Sequence, residues 1–441
     1  MHSGVSHRSL PRIVSASLIG TTIEWYDFFL YSSAAALVFN KLFFPTADPL
    51  SGTLLAFTTY AIGFLARPIG GLVFGHFGDK IGRKKLLVIS LLMMGGATFA
   101  MGLLPTYATV GVAAPILLTL LRLVQGFALG GEWGGAVLIV SEHGGAARRG
   151  FWASWPQCGA PGGNLLATAV LAILAAVQTD EAFLSWGWRI PFLLSAVLVV
   201  IGLWIRLAVA ESPVFLAAQQ NAPVEEKAPI VRVFRHNWRE VLVAMGARMG
   251  ENVSYYVITA FILVYITESL GLAKSVGLNA VLIGSAVHFV TIPLWGALSD
   301  RVGRRVVYLF GAVGMAVWGF VFFALLDTRS FGVIALATTV GLVLHGAMYG
   351  PQAAFFSELF GTRVRYSGAS IGYQLASILA GAIAPLVAVA LLDAWDSTLP
   401  VSLYLLAMCL LTVVAVLVAR ETRGASLEPA SAAAPELQVT R

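Results

Sequence analysis

Ionisable side chains interrupt several long apolar stretches of this 441-residue chain, where an unpaired charge is costly. In the core of a bilayer each such charge costs about 3 kcal/mol or more, so it usually faces a cavity, a partner or both. Buried carboxyl groups can exchange a proton with their surroundings, and arginine binds carboxylates through parallel hydrogen bonds. The pattern therefore predicts a buried site for protons and a small anion, built from Glu24, Asp27, Arg67, Arg122, Glu132, Arg248, Glu251 and His288.

The composition indicates what surrounds these charges. Hydrophobic residues make up 58% of the chain and charged residues 11%, whereas soluble globular proteins carry about 25% charged residues. A water-soluble chain of this composition would expose large apolar patches. The first apolar run follows a polar N-terminus and is longer than the apolar region of a signal peptide, which has roughly 7–15 residues. Cys158 and Cys409 both lie in apolar segments, so we expect them to be small buried side chains. We therefore expect an all-α membrane protein.

Twelve apolar stretches are long enough to cross a bilayer core, which needs about 20 helical residues. They lie near residues 13–38, 50–74, 86–104, 112–138, 150–176, 187–208, 240–267, 275–297, 306–326, 332–356, 366–392 and 399–419. A long polar stretch with three prolines separates the sixth span from the seventh. The predicted domains are an N-terminal six-helix bundle (1–208), a cytoplasmic linker (209–239), a C-terminal six-helix bundle (240–420) and a short disordered cytoplasmic tail (421–441).

The positions of the basic residues predict the orientation. With the N-terminus inside, most of the 28 Lys and Arg residues fall on the cytoplasmic side. The basic residues on the outer loops are then Lys41, Arg189, Lys274 and Arg329. Such an excess of inner positive charge determines topology, so we expect both termini to be cytoplasmic and the chain to lie in the inner or plasma membrane. Topology also accounts for the net charge of +6, which needs no nucleic-acid partner.

The chain contains an internal duplication. GHFGDKIGRKK (75–85) follows the second span, and GALSDRVGRR (296–305) follows the eighth. The matched pairs are Gly75 and Gly296, Asp79 and Asp300, Gly82 and Gly303, and Arg83 and Arg304, each 221 positions apart. A second repeated pattern relates Glu142 and the Arg148–Arg149–Gly150 run to Glu358, Arg363, Arg365 and Gly368. Two parallel repeats predict two pseudo-symmetric six-helix bundles.

These motifs resemble those of a known family. The GxxxDxxGR loop, present in both halves, is similar to the signature of the major facilitator superfamily. Longer stretches resemble its metabolite:proton symporter family: GTTIEWYDFFLY (20–31), FLARPIGGLVFGHFGDKIGRKK (64–85), RLVQGFALGGEWGGA (122–136), LSWGWRIPF (184–192), ESPVF (211–215) and RYSGASIGYQLAS (365–377). The resemblance implies the major facilitator fold, a proton as coupling ion without other cofactors, and a small-molecule substrate such as shikimate, 2-oxoglutarate, citrate, proline or betaine. Carriers of this superfamily can work as monomers.

Helix geometry places possible acid–base pairs at two depths. Asp27 and Arg122 lie at similar depth near the bilayer midplane, and Arg67 and Glu132 lie roughly 10–12 Å above the cytoplasmic face. Burial favours the neutral form of a carboxyl group, and a nearby arginine favours the charged form. Moving Arg122 away from Asp27 would therefore let the acid take a proton. Resemblance to proton-coupled sugar carriers, which have an acid in the first helix and an arginine in the fourth, favours this pair. Glu24 and Glu132 remain candidates, and static struts between helices are the alternative.

The available cations for a substrate are Arg67, Arg122, Arg248 and His288. Adding the repeat offset to Asp27 leads to Arg248, so the two are expected to face one central cavity from opposite halves. Aromatic and amide side chains at similar depths could complete a pocket, although helix packing explains any single one equally well. They are Tyr26, Trp155, Gln157, Asn252, Tyr255, Tyr256, Tyr349, Gln352, Tyr373 and Gln374. These groups suit a small hydroxylated acid better than a lipid or an apolar drug.

Charges on the cytoplasmic loops predict a gate. Pairs across the two halves would hold the inner side shut, and opening inward would break them, as a conformational switch requires. The candidate gate residues are Asp79, Arg83, Glu142, Arg148, Glu211, Asp300, Arg304, Glu358 and Arg363.

Taken with the resemblance, these residues predict a secondary active transporter that imports a small carboxylate-bearing metabolite with protons by alternating access. The alternatives are a carrier of a zwitterionic osmolyte or a polyol, a uniporter or exchanger, and an osmosensor on the same scaffold. The chain contains no HExxH, CxxC or Walker motif, so we do not expect an enzyme. Its duplicated loops suit alternating access better than a channel.

Overall fold

The computed structural model describes residues 10–45, 49–81, 83–130, 137, 140–141, 145–208, 237–360 and 365–425, and these residues form helices and connecting turns without any strand. Twelve helices correspond in order to the twelve predicted spans. They are α1 (Leu10–Ala34), α2 (Pro49–Ile81), α3 (Arg83–Gly102), α4 (Ala113–Leu129), α5 (Arg149–Val177), α6 (Arg189–Ala208), α7 (Trp238–Ser269), α8 (Lys274–Val302), α9 (Arg304–Leu326), α10 (Phe331–Leu359), α11 (Arg365–Ala376, resumed as Ala384–Trp395) and α12 (Leu399–Val418). The twelve-helix fold class is therefore confirmed.

Length and hydropathy agree with a membrane location. Among the described residues, eight helices are long and apolar enough to cross a bilayer, and a ninth qualifies if Asp180–Gly187 and Arg189–Ile205, which bend by 46°, count as one span. The apolar parts of α3 and α4 are shorter, at Val88–Gly102 and Ala113–Leu129. Most of the predicted linker (209–236) and tail (426–441) lies outside the described residues.

The same helix pairs pack together in both halves. In the first half α1 packs on α5, α2 on α4, and α3 on α6. The second half repeats this arrangement with α7 on α11, α8 on α10, and α9 on α12. Between the halves, α5 packs against α8 and α10, and α2 packs against α11. The duplication in the sequence is therefore a duplication of packing, and the interface between the repeats runs through the centre of the molecule.

Wide π-helical turns interrupt several helices near this interface. One extends α1 over Ala35–Phe39, and its counterpart in α7 covers Val257–Phe261, close to the repeat offset. Another lies in α11 at Ser377–Ala382. Such turns are uncommon and occur frequently at functional sites. They were not predicted from the sequence.

A close approach of α2 and α4 depends on glycine. A Cβ atom placed on Gly126 would lie 2.7 Å from the main-chain carbonyl carbon of Gly63 and 3.0 Å from its Cα. Main-chain atoms inside a helix cannot move aside as a flexible side chain can. Small residues at such positions let membrane helices approach closely, and this contact holds Arg122, on α4, beside α2.

We predict that Gly126→Ala will destabilise the protein by about 1–3 kcal/mol, because the added methyl group overpacks the contact between the two helices. The measurement is the apparent unfolding temperature of the detergent-solubilised protein. Gly96→Ala on α3 is the matched control, since a Cβ atom there meets nothing within 4 Å and alanine favours a helix. Equal changes in unfolding temperature for Gly126→Ala and Gly96→Ala would contradict the close approach of α2 and α4 at Gly126.

Candidate functional site

A small cavity lies between the two halves. α1 and α5 form one wall, and α7, α10 and α11 form the other. The lining residues are Trp25, Phe29, Ala160, Arg248, Glu251, Asn252, Tyr255, Tyr256, His345, Tyr349 and Tyr373. Small-molecule sites are typically apolar and aromatic hollows with a few directed polar groups, and this cavity has that character. Six of the predicted substrate residues line it: Arg248, Asn252, Tyr255, Tyr256, Tyr349 and Tyr373.

Arg248 is the principal cation of the cavity wall. Its guanidinium group stacks on the Tyr373 ring, 3.3 Å from the ring centre. Its Nη2 donates to Asn252 Oδ1 over 3.1 Å, and its Nε lies 3.3 Å from Glu251 Oε2. The Nη1 atom of Arg248 and the Nδ2 atom of Asn252 are buried without a hydrogen-bond partner in the described structure. A buried donor without a partner costs about 1–3 kcal/mol, so these two groups are available to acceptor oxygens of a ligand.

Glu251 joins Arg248 to two histidines deeper in the C-terminal half. His345 Nε2 lies 3.1 Å from Glu251 Oε1, and His345 Nδ1 lies 2.9 Å from His288 Nε2. Gln352 Nε2 donates to Glu251 Oε2 over 3.1 Å and to the Tyr308 hydroxyl over 3.0 Å. His288 was expected to serve as a cation for the substrate. It is fully buried behind His345 and does not line the cavity.

Asp27 is buried inside the N-terminal half. Its carboxylate oxygens have no hydrogen-bond partner among the described residues. The nearby Thr98 hydroxyl donates to Met94 O over 3.0 Å and accepts from Gln125 Nε2 over 2.8 Å. The carboxyl group thus lies towards α3 and α4, away from the residues that line the cavity. Glu24, one turn earlier on α1, is buried as well.

Arg122 is separated from Asp27 by Gln125. Its Nη1 donates to Gln125 Oε1, and Gln125 Nε2 lies 3.4 Å from the main-chain oxygen of Asp27. The guanidinium group lies over the rings of Phe28, Tyr31 and Tyr60 at 4.7, 4.5 and 4.6 Å. In the part of the chain that the structure describes, Asp27 and Arg122 therefore form no ion pair, and aromatic faces stabilise the arginine instead.

Arg67 occupies a similar aromatic environment. Its guanidinium group lies over the rings of Phe28 and Phe64 at 4.5 and 4.1 Å, and the side chain is 3% exposed. It does not line the cavity. Its predicted partner Glu132 lies outside the described residues.

Three other predicted site residues connect helices beside the cavity, and a fourth, Trp155, contacts a ring of its own helix. Tyr26 donates its hydroxyl to Pro191 O over 2.6 Å and so packs towards α6. Gln157 Nε2 reaches Gln352 Oε1 across the two halves, at 3.4 Å. Gln374 Nε2 donates to Gly130 O over 3.3 Å. Trp155 is half-buried, and its ring meets that of Phe151 edge-on at 6.0 Å.

Glu358 is the centre of an ion-pair network at the predicted cytoplasmic end. Its Oε1 accepts from Arg149 Nη1 over 2.8 Å, which joins the two halves. Arg304 donates to both carboxylate oxygens of Glu358 over 3.1 Å, and the Thr422 hydroxyl adds a bond of 2.8 Å. Arg148, the residue named from the sequence, is exposed, and the adjacent Arg149 makes this contact.

Asp300 makes a second connection between the halves. Its two carboxylate oxygens accept from the main-chain N–H groups of Gly150 and Phe151, at the start of α5, over 2.8 and 2.9 Å. Arg304 Nη1 donates to Asp300 Oδ1 over 2.7 Å. A carboxylate at a helix N-terminus satisfies free N–H groups and the helix dipole together. Asp300 and Glu358 therefore both link the two halves at this end.

Glu421 supports the same network from beyond α12. Its partial burial favours the neutral acid, but main-chain N–H groups of Arg423, Arg304, Arg305 and Thr422 donate to its carboxylate and hold the pKa of Glu421 below its usual range. It caps the start of α9 and so holds Arg304 in place. The remaining gate candidates Glu142, Glu211 and Arg363 lie outside the described residues, as do the side chains of Asp79 and Arg83.

The two halves also touch at the opposite end. Lys274 Nζ, at the start of α8, bonds Asp180 Oδ1, just before α6, and lies 4.1 Å from the centre of the Phe183 ring. Asp180 is 83% exposed, so the pair forms the outer surface of that end. Contacts between the halves therefore lie at both ends of the described structure.

His345, Gln125 and Arg149 belong to these networks, although sequence reasoning did not select them. His345 could have been found, because it is an ionisable residue inside the tenth predicted span and such residues are functional candidates by default. Gln125 is neutral, and Arg149 stands in a run of two arginines, so neither carries a comparable signal.

Two parallel six-helix repeats around a central cavity define a transporter of the major facilitator class. Residues 13–228 and 218–433 each match the family described as Sugar (and other) transporter. The chain belongs to this family and is a membrane transporter, not an enzyme. The resemblance noted in its motifs is thereby confirmed.

Relatives similar to most of the chain support this assignment. The shikimate transporter of Escherichia coli (strain K12) is 41% identical over 420 residues, covering 94% of this chain and 95% of the relative. The inner membrane metabolite transport protein YhjE of the same organism is 41% identical over 428 residues, covering 95% and 96%. A proline/betaine transporter of Salmonella typhimurium is 33% identical over 443 residues, covering 97% and 87%.

Solved structures show the same fold. The crystal structure of a D-xylose-proton symporter matches with a TM-score of 0.73 over 94% of this chain and 98% of that chain. Its sequence identity is 19%, so the likeness concerns the fold alone.

We predict that Arg149→Gln will destabilise the protein strongly, because it removes a partner of a buried carboxylate, a change that typically costs about 3–5 kcal/mol. The apparent unfolding temperature in detergent measures the effect. Arg148→Gln is the matched control: it removes the same charge at the exposed neighbouring position, where surface changes stay within about 0.5 kcal/mol. A larger loss from the control than from Arg149→Gln would refute the assignment of Arg149 to the gate.

Proposed function

We propose that this chain imports a small, carboxylate-bearing metabolite together with protons by alternating access, and that it works as a monomer. The cavity that would hold the substrate is formed within one chain, which supports the monomer. The similarity to a shikimate transporter supports an organic acid, and the fold shared with a D-xylose-proton symporter is compatible with proton coupling.

The observation that carries the substrate class is the unused hydrogen-bonding capacity of Arg248. Its Nη1 and the Nδ2 of Asn252 are buried in one aromatic cavity without partners. A carboxylate would accept from such donors through charge-assisted bonds, which are about twice as strong as neutral ones. The rings of Tyr255, Tyr349 and Tyr373 offer flat apolar faces to the rest of a small molecule. The cavity thus suits a compact acid.

A zwitterionic osmolyte is the second candidate. Aromatic faces attract quaternary ammonium groups, and a proline/betaine transporter is among the relatives. Arg248 would bind the carboxylate of such a molecule but repel its cationic end, since Glu251 is already paired with Arg248 and His345. This repulsion favours an acid with hydroxyl groups over a zwitterion. A neutral polyol would leave the guanidinium group without an anionic partner.

Asp27 is the proposed coupling acid, with Arg122 as its counter-charge. A buried carboxyl group without hydrogen bonds is stabilised as the neutral acid, because an unpaired buried charge is far more costly. The separation of Arg122 from Asp27 by Gln125 therefore corresponds to the proton-loaded stage of the cycle. Release of the proton would follow when Arg122 moves next to Asp27. Glu24 and Glu132 are the alternative acids.

The direction of transport follows from the proposed orientation, in which both termini are cytoplasmic. Arg149–Glu358 and the Asp300 contacts would then form the inner gate, and Lys274–Asp180 an outer contact. An inward proton gradient would load Asp27 from outside, and breaking the inner ion pairs would release substrate inside. A uniporter or exchanger would use the same gates without Asp27.

We predict that uptake into proteoliposomes will depend on an inward proton gradient and on Asp27. The substrates are labelled shikimate, 2-oxoglutarate, citrate, proline, betaine and xylose. Wild type should accumulate at least one acid, and Asp27→Asn should abolish accumulation while keeping exchange of that acid across the membrane. Gradient-driven accumulation by Asp27→Asn would transfer the coupling role to Glu24 or Glu132. Binding without movement of any substrate would favour the osmosensor.

We further predict that Arg248→Gln will raise the concentration of acid at half-maximal uptake by about 10–100-fold, since a hydrogen bond to a charged group contributes about 1.5–3 kcal/mol. Arg248→Lys should recover part of this loss, because lysine keeps the charge but not the paired donors. Concentration-dependent uptake measures both. Equal loss with acids and with xylose would argue against a carboxylate contact.

A further inference from the structure

Glu251, His345 and His288 form a continuous hydrogen-bonded line that leads from the cavity wall into the C-terminal half. Each atom along it lies within hydrogen-bonding distance of the next: Glu251 Oε1 to His345 Nε2 is 3.1 Å, and His345 Nδ1 to His288 Nε2 is 2.9 Å. All three residues are at most 2% exposed. The residues come from three different helices, α7, α10 and α8.

The arrangement is a relay of hydrogen bonds and does not resemble a metal site. Both nitrogens of His345 face a side-chain partner within the line, so they do not point with Glu251 and His288 towards one central point. The described residues contain no group of three or more His, Cys, Asp or Glu side chains that could hold a metal ion.

The bonding pattern specifies where the protons are. With Glu251 ionised, His345 donates from Nε2 to the carboxylate and accepts at Nδ1 from His288 Nε2–H. His288 Nδ1 is then an acceptor, and it is buried without a hydrogen-bond partner in the described structure. An unused acceptor at the far end of a polarised line is a place where a proton can enter.

We propose that Glu251, His345 and His288 form a second proton-binding site, which takes up a proton when the substrate carboxylate binds Arg248. This inference rests on the proposed function, because the substrate supplies the trigger. The charged and titratable groups that face the relay from the surrounding helices are Arg248, Tyr255, Tyr308, Tyr349 and Tyr373.

Proton transfer along the line balances at every atom. A proton binds His288 Nδ1 while the proton on its Nε2 moves to His345 Nδ1. The proton on His345 Nε2 then moves to Glu251 Oε1. Both histidines end as the opposite neutral tautomer, and Glu251 ends as a neutral acid.

Arg248 couples this transfer to the substrate. In the described structure its Nε lies 3.3 Å from Glu251 Oε2, and this ion pair favours the ionised acid. A substrate carboxylate that binds the free Nη1 competes for the same guanidinium group. Because the attraction between Arg248 and Glu251 is then weaker, the buried carboxylate of Glu251 is stabilised more by taking up a proton. The substrate carboxylate thus replaces the Glu251 carboxylate as the negative charge beside Arg248. The proton on Glu251 keeps the net charge of the site unchanged.

The first test needs no substrate. Histidine tautomers are identified by ¹⁵N NMR of the ¹⁵N-histidine-labelled protein, with signals assigned through His345→Gln and His288→Asn. Wild type should show protonated Nε2 on both residues, and Arg248→Gln, which imitates loss of the guanidinium group to substrate, should shift both to protonated Nδ1. Thr338→Val is the matched control, since Thr338 is buried on α10 and, among the described residues, its hydroxyl donates to Ile334 O of its own helix over 2.8 Å. Unchanged tautomers in Arg248→Gln would overturn the relay.

The second test is the ratio of protons to substrate, obtained from the reversal potential of shikimate uptake in proteoliposomes. Glu251→Gln and His345→Gln should each move one proton fewer per shikimate than wild type, and Thr338→Val should keep the wild-type ratio. An unchanged ratio in both relay variants would overturn the second site. If wild type showed no proton-driven uptake of shikimate, 2-oxoglutarate or citrate, the proposed function would fail, whereas the tautomer measurement would still decide whether the relay exists.

Discussion

The buried ion pair of Arg248 and Glu251 is the interaction on which the central cavity depends. Two charges in a low-dielectric interior are tolerated when each meets an opposite charge and its other atoms are hydrogen-bonded. Asn252, Gln352 and His345 supply most of these bonds and draw α7 and α10 together. The ring of Tyr373 on α11 stacks on the guanidinium group from the other side of the interaction. The donors left over face the cavity. The requirement to compensate a charge thus also creates the place where a ligand can bind.

The N-terminal half meets the same requirement differently. Arg67 and Arg122 are surrounded by aromatic rings, which stabilise a cation without neutralising it. Asp27 stands apart from both. Because the described residues form no ion pair with Asp27 or Arg122, small helix movements can change which groups these two meet. The C-terminal half is a tightly bonded network, whereas the N-terminal half keeps an uncommitted acid, and this asymmetry suits a protein whose two halves move around one ligand.

The two ends use interactions that can be exchanged. Asp300 accepts main-chain N–H groups of the opposite half at the start of α5, and Glu358 joins Arg149 to Arg304. Every one of these groups could be hydrated if the halves separated, so opening replaces protein contacts with water and costs little net energy. Aromatic contacts also cross the interface, as between Phe29 and Tyr255, whose ring centres lie 5.3 Å apart.

The sequence by itself determined the number of spans, the duplication and the family, because apolar length and repeated motifs are local properties. It also indicated Arg248 as a cavity residue through the repeat offset. Only the tertiary structure decided that Gln125 separates Asp27 from Arg122, that Arg149 reaches Glu358 where Arg148 faces outward, and that His345 lies between Glu251 and His288. These outcomes depend on helix rotation, on π-helical turns and on side-chain direction, where a change of one residue turns a helical side chain by about 100°.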